Sequence, residues 1–166
     1  MLQKLRNRGS RESRTGGFTI IEVMIVLAIA ALILVVVLIA IPQLQRNQRN
    51  AARRDILARV KTELDNYAGN NNGRYPTADA NVGTGFDTGA GFPTRYLTNV
   101  NINDPSTGSP VILDTPAAIT AAPAVGTVQY VTAQICDGEL PIGGSARNYA
   151  VVMGLEGGAA FCLDNR

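Results

Sequence analysis

The 166-residue chain contains no histidine and only two cysteines, Cys136 and Cys162, too far apart for a Cys-x-x-Cys pair. Transition-metal sites built on imidazole are therefore excluded, as are catalytic designs that need a histidine base. Glycine is plentiful, yet runs such as Gly83-Thr84-Gly85 lack the strand-to-helix context and the lysine of a phosphate loop, so they read as turns. Asp104, Asp114, Asp137, Glu139 and Asp164 offer oxygen ligands of the kind calcium takes, but their order has no EF-hand spacing. There is no Asn-x-Ser/Thr sequon and no internal repeat. These absences leave a binding or structural role ahead of a catalytic one, with no cofactor and no metal expected.

What the chain does have is one long apolar run. From Val23 to Ile41, nineteen consecutive residues are Val, Met, Ile, Leu or Ala, and Phe18 to Glu22 extends the segment with a single charge, Glu22. At about 1.5 Å per residue the helix from Phe18 to Ile41 is roughly 36 Å long, enough to cross a hydrocarbon core of about 30 Å. An acid inside such a segment costs about 2.5 to 3.5 kcal/mol on insertion scales, so it marks a functional position unless its place near the membrane surface explains it. Ahead of the run, Lys4, Arg6, Arg8, Arg11 and Arg14 face one acid, Glu12, a flank that holds the N-terminus in the cytoplasm. In a secretory signal a small-residue cleavage site follows the apolar region. Here Gly16-Gly17 precedes it, so a cut after Gly17 would remove the basic leader and keep the helix.

Gly17-Phe18-Thr19-Ile20-Ile21-Glu22, behind a basic leader and before an unbroken apolar run, resembles the N-terminus of the type IV pilin family, which includes the pseudopilins of type II secretion. The resemblance implies cleavage after Gly17 by a membrane aspartyl peptidase, N-methylation of Phe18 by the same enzyme, and pairing of Glu22 with an N-terminal amine in the assembled filament. Implied partners are identical subunits in a helical filament, the prepilin peptidase/N-methyltransferase, an inner-membrane platform protein with its assembly ATPase, and membrane lipid before assembly. Contact of the head with a host, a surface or DNA is a further expectation. The implied location is the inner membrane as a single-pass precursor with the head outside, then an extracellular pilus.

The rest of the chain divides by composition. The expected segments are a leader at 1–17, a membrane and filament-core helix at 18–42, an amphipathic helix at 43–68, an irregular loop at 69–110, and a sheet with a C-terminal disulfide loop at 111–166. Pro42 removes a backbone donor and crowds the carbonyl of Leu38, so a kink or loosening is expected there. Ala52, Ile56, Leu57, Val60, Leu64 and Tyr67 then form one apolar stripe that needs a sheet to cover it. Removal of residues 1–17 leaves ten basic against twelve acidic side chains, unevenly placed. Arg46, Arg49, Arg53, Arg54, Arg59 and Lys61 crowd the stem, whereas residues after Ala68 carry four arginines and eight acids. Either the stem is a solvated face, or packed subunits bring one basic stem near a neighbour's acidic head.

The Gly69-Asn70-Asn71-Asn72-Gly73 cluster ends the helix. Arg74-Tyr75-Pro76 follows, similar to the aromatic-proline turn of many pilins, with Tyr75 expected as a packing anchor. Beyond a loop that carries Phe86 and Phe92, one helical turn is expected within Thr94 to Val100. Strand signals cover Val111 to Leu113, Thr127 to Cys136, Asn148 to Leu155 and Ala159 to Leu163, the last two joined by Glu156-Gly157-Gly158 as a hairpin. The Pro116 to Val125 interval reads as an exposed loop. The fold class expected is α+β, a long helix packed on a three- to four-stranded antiparallel sheet. Two cysteines in a head outside the cytoplasm read as one disulfide, with two buried thiols in adjacent strands as the alternative. The bridge is also what the C-terminal loop of many type IV pilins implies, and it tilts the reading toward a pilin over a pseudopilin. A signal-anchored enzyme, the third possibility, lacks a convergent polar cluster.

Overall fold

The computed structural model describes residues 17–76 and 92–166. The basic leader before Gly17 and the part of the loop that carries Phe86 lie outside the described residues. The chain divides into two units, the first ending at Pro42 and the second running from Gln43 to Arg166.

One helix, α1 (Ile20–Asn70), contributes to both. In the first unit it is aliphatic on every face, and every described residue there is exposed. It is long and apolar enough to cross a membrane by length and composition. Helical assignment continues through Pro42, whose missing N–H leaves the Leu38 carbonyl without its usual donor.

The second unit is built in layers. A four-stranded sheet has the order β1 (Ile112–Asp114), β2 (Thr127–Thr132), β5 (Tyr149–Gly154), β6 (Ala160–Asp164), and a separate ribbon pairs β3 (Gln134–Asp137) with β4 (Leu140–Gly143). Alternation sorts each strand's side chains to opposite faces. Val128 and Tyr130 of β2 and Tyr149, Val151 and Met153 of β5 face α1, where they meet Ile56, Leu57, Val60 and Leu64. Val131, Ala150, Val152, Ala160 and Cys162 face the other way, under the ribbon and Ile119. Covered on both faces, β5 is buried along its whole length. The expected stripe on α1 is therefore the inner core, and the expected α+β architecture is present.

The structure corrects three details. Strand β1 runs parallel to β2, with Ile112 opposite Thr127, so the sheet is mixed where an all-antiparallel one was expected. A parallel pair needs a crossover of about a dozen residues, and residues 115–126 supply it. That segment is exposed in most places, as expected, but it buries Ile119. Gly154 permits the close passage of its end: a Cβ there would lie 2.1 Å from the Pro123 carbonyl oxygen.

Second, Thr127 to Cys136 is two strands. Ala133 adopts a left-handed conformation with φ of 58°, which turns the chain from the sheet into the ribbon. Its N–H donates to Asn148 and its carbonyl accepts from Gly144, so neighbouring segments fix the corner. Third, β4 was not expected. It carries Pro141 on the two-stranded ribbon, where a missing N–H is tolerated.

The expected hairpin at Glu156-Gly157-Gly158 joins β5 and β6. The expected helical turn spans Pro93–Leu97, preceded by Phe92, which is fully buried against Tyr67 and Tyr96. Tyr75 packs on Tyr149 with ring centroids 4.4 Å apart, the anchor read from Tyr75-Pro76. Cys136 and Cys162 form the disulfide, with Cα atoms 5.8 Å apart, and staple the ribbon to β6. In the chain-entropy picture such a closure stabilises the head by about 3 kcal/mol.

Candidate functional site: the processing junction and its stem

Gly17, Phe18 and Thr19 precede the first turn of α1, and the Phe18 side chain is 88% exposed. Among the described residues nothing lies within 4 Å of the position a Cβ on Gly17 would take. Thr19 is the N-cap. Its N–H and its hydroxyl each donate to Glu22 Oε2 at 2.8 Å, and the Glu22 N–H donates back to Thr19 Oγ1 at 3.3 Å. This is a reciprocal capping box, in which a Ser or Thr and the Glu three residues later satisfy donors that the first helical turn leaves over. The isolated chain thus answers the acid locally. The signal, Thr-x-x-Glu before an apolar run, is present in the sequence.

Pairing of Glu22 with an amine, methylation of Phe18 and loosening at Pro42 all concern states other than the isolated chain.

The basic stem has a different fate from either sequence reading. Arg53 is fully buried, with all of its donor nitrogens engaged. Its Nε and Nη2 form a fork on Asp104 at 2.7 and 3.1 Å, Nη2 also reaches Ser106 Oγ at 2.6 Å, and Nη1 donates to Glu156 Oε1 at 2.8 Å and Asn50 Oδ1 at 3.3 Å. One turn earlier, Arg49 holds both Glu156 oxygens at 2.6 and 2.7 Å. Asn50 closes the ring, accepting from the Glu156 N–H at 2.9 Å and donating to its carbonyl at 3.2 Å. Helix, loop and the β5–β6 hairpin are pinned at one point.

Such forked, charge-assisted bonds are the strong kind. Hydrogen bonds from Arg49 and then Arg53 lower the Glu156 carboxyl to about 2. Burial works to raise Asp104, but hydrogen bonds from Arg53 and the Ser106 N–H outweigh it and hold the carboxyl below its ordinary range. For Arg49 and Arg53, then, the basic stem meets the acidic head of its own chain. Arg54 lies over the Phe161 ring at 5.5 Å, and Arg59 donates to the Asn101 carbonyl at 3.2 Å. Arg53 was legible in principle: Arg53, Leu57, Val60 and Leu64 follow one another at spacings of four, three and four, on the buried stripe.

Asp104 and Asp164 are taken by arginines, and Asp114 accepts from Gln129 at 3.0 Å. Among the described residues no three of His, Cys, Asp and Glu gather at one point.

A family profile described as the prokaryotic N-terminal methylation motif matches residues 13–38. It covers the end of the leader, Gly17, Phe18, Glu22 and most of the apolar run. The match supports a type IV pilin-like prepilin. No curated protein and no solved structure matches the chain. The motif supports a type IV pilin or pseudopilin precursor, and its class III signal and apolar helix fit a membrane-anchored precursor. A structural, non-enzymatic subunit is the role that the motif suggests for such a prepilin.

Proposed function

We propose that the chain is a type IV pilin: a structural subunit cleaved after Gly17, N-methylated on Phe18 and polymerised into an extracellular filament for adhesion, twitching motility or DNA uptake. The observation that carries this reading is the continuity of the motif with an uncovered helix. The matched segment, residues 13–38, takes in most of an aliphatic stretch in which no described residue is buried. Such a surface needs a solvent of its own kind. Lipid supplies it to the precursor, and the helices of identical subunits supply it in the filament.

Glu22 then serves as the register element. A buried carboxylate without a partner is costly, so only the stagger that brings an N-terminal amine to it is tolerated. Its capping bonds to Thr19 hold it near the start of the helix, where the new amine of Phe18 arises. In assembly the helix loosens at Pro42, where a backbone bond is already missing. The peptidase, platform protein and assembly ATPase are the partners this life cycle requires.

A pseudopilin of a secretion system is the second reading, and the disulfide of the head favours the pilin. Electron microscopy of cells with and without the chain tests the choice. Surface filaments lost on deletion support the pilin; loss of secretion with no filaments in the wild type overturns it.

A further inference from the structure

The head is acidic, yet one groove on it is not. Of its four arginines, Arg166 is closed on Asp164 at 3.0 Å. Arg74 and Arg147 are exposed, and among the described residues neither side chain makes an ion pair or hydrogen bond. Both line one open groove of about 790 Å³ together with Asn72, Tyr75, Thr132 and Asn148, and among the described residues no carboxylate lines it. That volume is within the range of ligand sites.

Local structure holds both backbones and leaves both guanidinium groups free. After α1, the Gly73 N–H donates to the Ala68 carbonyl at 2.8 Å, and the positive φ of Asn72 (56°) and Gly73 (75°) reverses the chain, a helix stop of the Schellman kind. Arg74 emerges from that turn while Tyr75 goes inward against Tyr149. Across the groove, Asn148 Oδ1 accepts from the Ser145 N–H at 2.9 Å and its hydroxyl at 2.6 Å, and Asn165 Nδ2 donates to the Arg147 carbonyl at 2.9 Å. The side-chain amide of Asn72 and the hydroxyl of Thr132 also have no partner among the described residues.

Two exposed guanidinium groups with no partner among the described residues select an anion. The spacing of charge on that anion decides its class. Duplex DNA carries one negative charge per about 1.7 Å of axis, and the residues after Ala68, with four arginines against eight acids, have no net positive charge to meet such a density. An anion with sparse charges and many hydroxyls suits both the cations and the neutral amide and hydroxyl of the same groove. We propose that the groove between Arg74 and Arg147 binds acidic polysaccharide, taking uronate carboxylates on the two arginines and sugar hydroxyls on Asn72 and Thr132.

Calorimetric titration of the full chain in detergent micelles with tetragalacturonate tests this, and because no filament is needed, failure of assembly would leave the result readable. Saturable binding below about 1 mM is expected, weakened about tenfold by Arg147→Gln, further by Arg74→Gln with Arg147→Gln, and about tenfold when the carboxylates are methyl esters. Circular dichroism and melting of Arg147→Gln should match wild type, since its side chain has no partner to lose. Should Arg74→Gln disturb the helix stop, the Arg147→Gln titration alone decides. No binding at that concentration, equal binding of the ester, affinity unchanged in Arg147→Gln, or tighter binding of a short DNA duplex lost in the same variant would each overturn the proposal.

Discussion

The two halves of α1 meet their surroundings in opposite ways. Between Ile20 and Ile41 every side chain is exposed, and the one charge, Glu22, is answered by Thr19 three residues away. Beyond Asn50 the same helix buries Ile56, Leu57, Val60 and Leu64, and its buried charge, Arg53, is answered by Asp104 and Glu156, 51 and 103 positions along the chain. The second half has a complete set of partners within its own chain. The first half has apolar surface on all sides and, among the described residues, buries none of it, which fits a membrane-anchored precursor. A monomer that is finished at one end and unfinished at the other is what a subunit requires.

The largest effects should come from breaking the unfinished half. Gly17→Glu puts a charged side chain where the open glycine stands and is expected to abolish processing. N-terminal sequencing should then find no chain that begins at Phe18, and a mature Phe18 in this variant would refute the cleavage site. Glu22→Val removes both the charge and the capping acceptor; cleavage should proceed while filament yield collapses. Glu22→Gln sharpens the point, because glutamine also serves in a capping box. If the charge sets register, the glutamine variant fails in assembly like the valine one; wild-type filament yield would show that the cap is all that Glu22 supplies.

How far these halves could be read from the sequence follows the same division. The first half declares itself through residues adjacent in the chain: Gly17 before Phe18, Glu22, and then nineteen aliphatic positions. The apolar stripe of the second half was equally plain from its spacing. What escaped was set by tertiary partners. Arg53 sits on the stripe, but a lone arginine is buried only where carboxylates arrive from elsewhere, and neither Asp104 nor Glu156 announces that. Ala133 carries no glycine or proline signal, yet Asn148 and Gly144 hold it in a left-handed corner that splits one alternating run into two strands. The parallel β1 depended on a crossover whose buried residue, Ile119, is one of two large apolar residues, with Val125, in an Ala/Pro-rich segment.

In the finished half the strongest single test is Arg53. Arg53→Met keeps much of the side-chain volume and leaves Asp104, itself 3% exposed, without its partner. Removing one member of a buried pair typically costs about 3 to 5 kcal/mol. Thermal melting of the full chain in detergent should show that loss while cleavage at Gly17 is untouched. A loss below about 1 kcal/mol would mean that the network is as dispensable as a surface pair.

The smallest effect expected is that of acid on the same network. The ordinary glutamate pKa is 4.5, and the arginine bonds bring Glu156 to about 2 in the folded head. A folded-state pKa below the unfolded one means that the unfolded chain binds the proton more readily, so stability rises with pH across that interval. The contribution of Glu156 is therefore complete above pH 4.5 and fades as pH falls toward 2, and the lowered Asp104 acts in the same direction. Denaturation midpoints at pH 6 and pH 3, well above and within the window, should differ in the wild type. Glu156→Gln cannot titrate there, so its midpoint should fall less between the two values. An equal fall in both would remove Glu156 from the acid response, leaving the carboxylates elsewhere in the head to account for it.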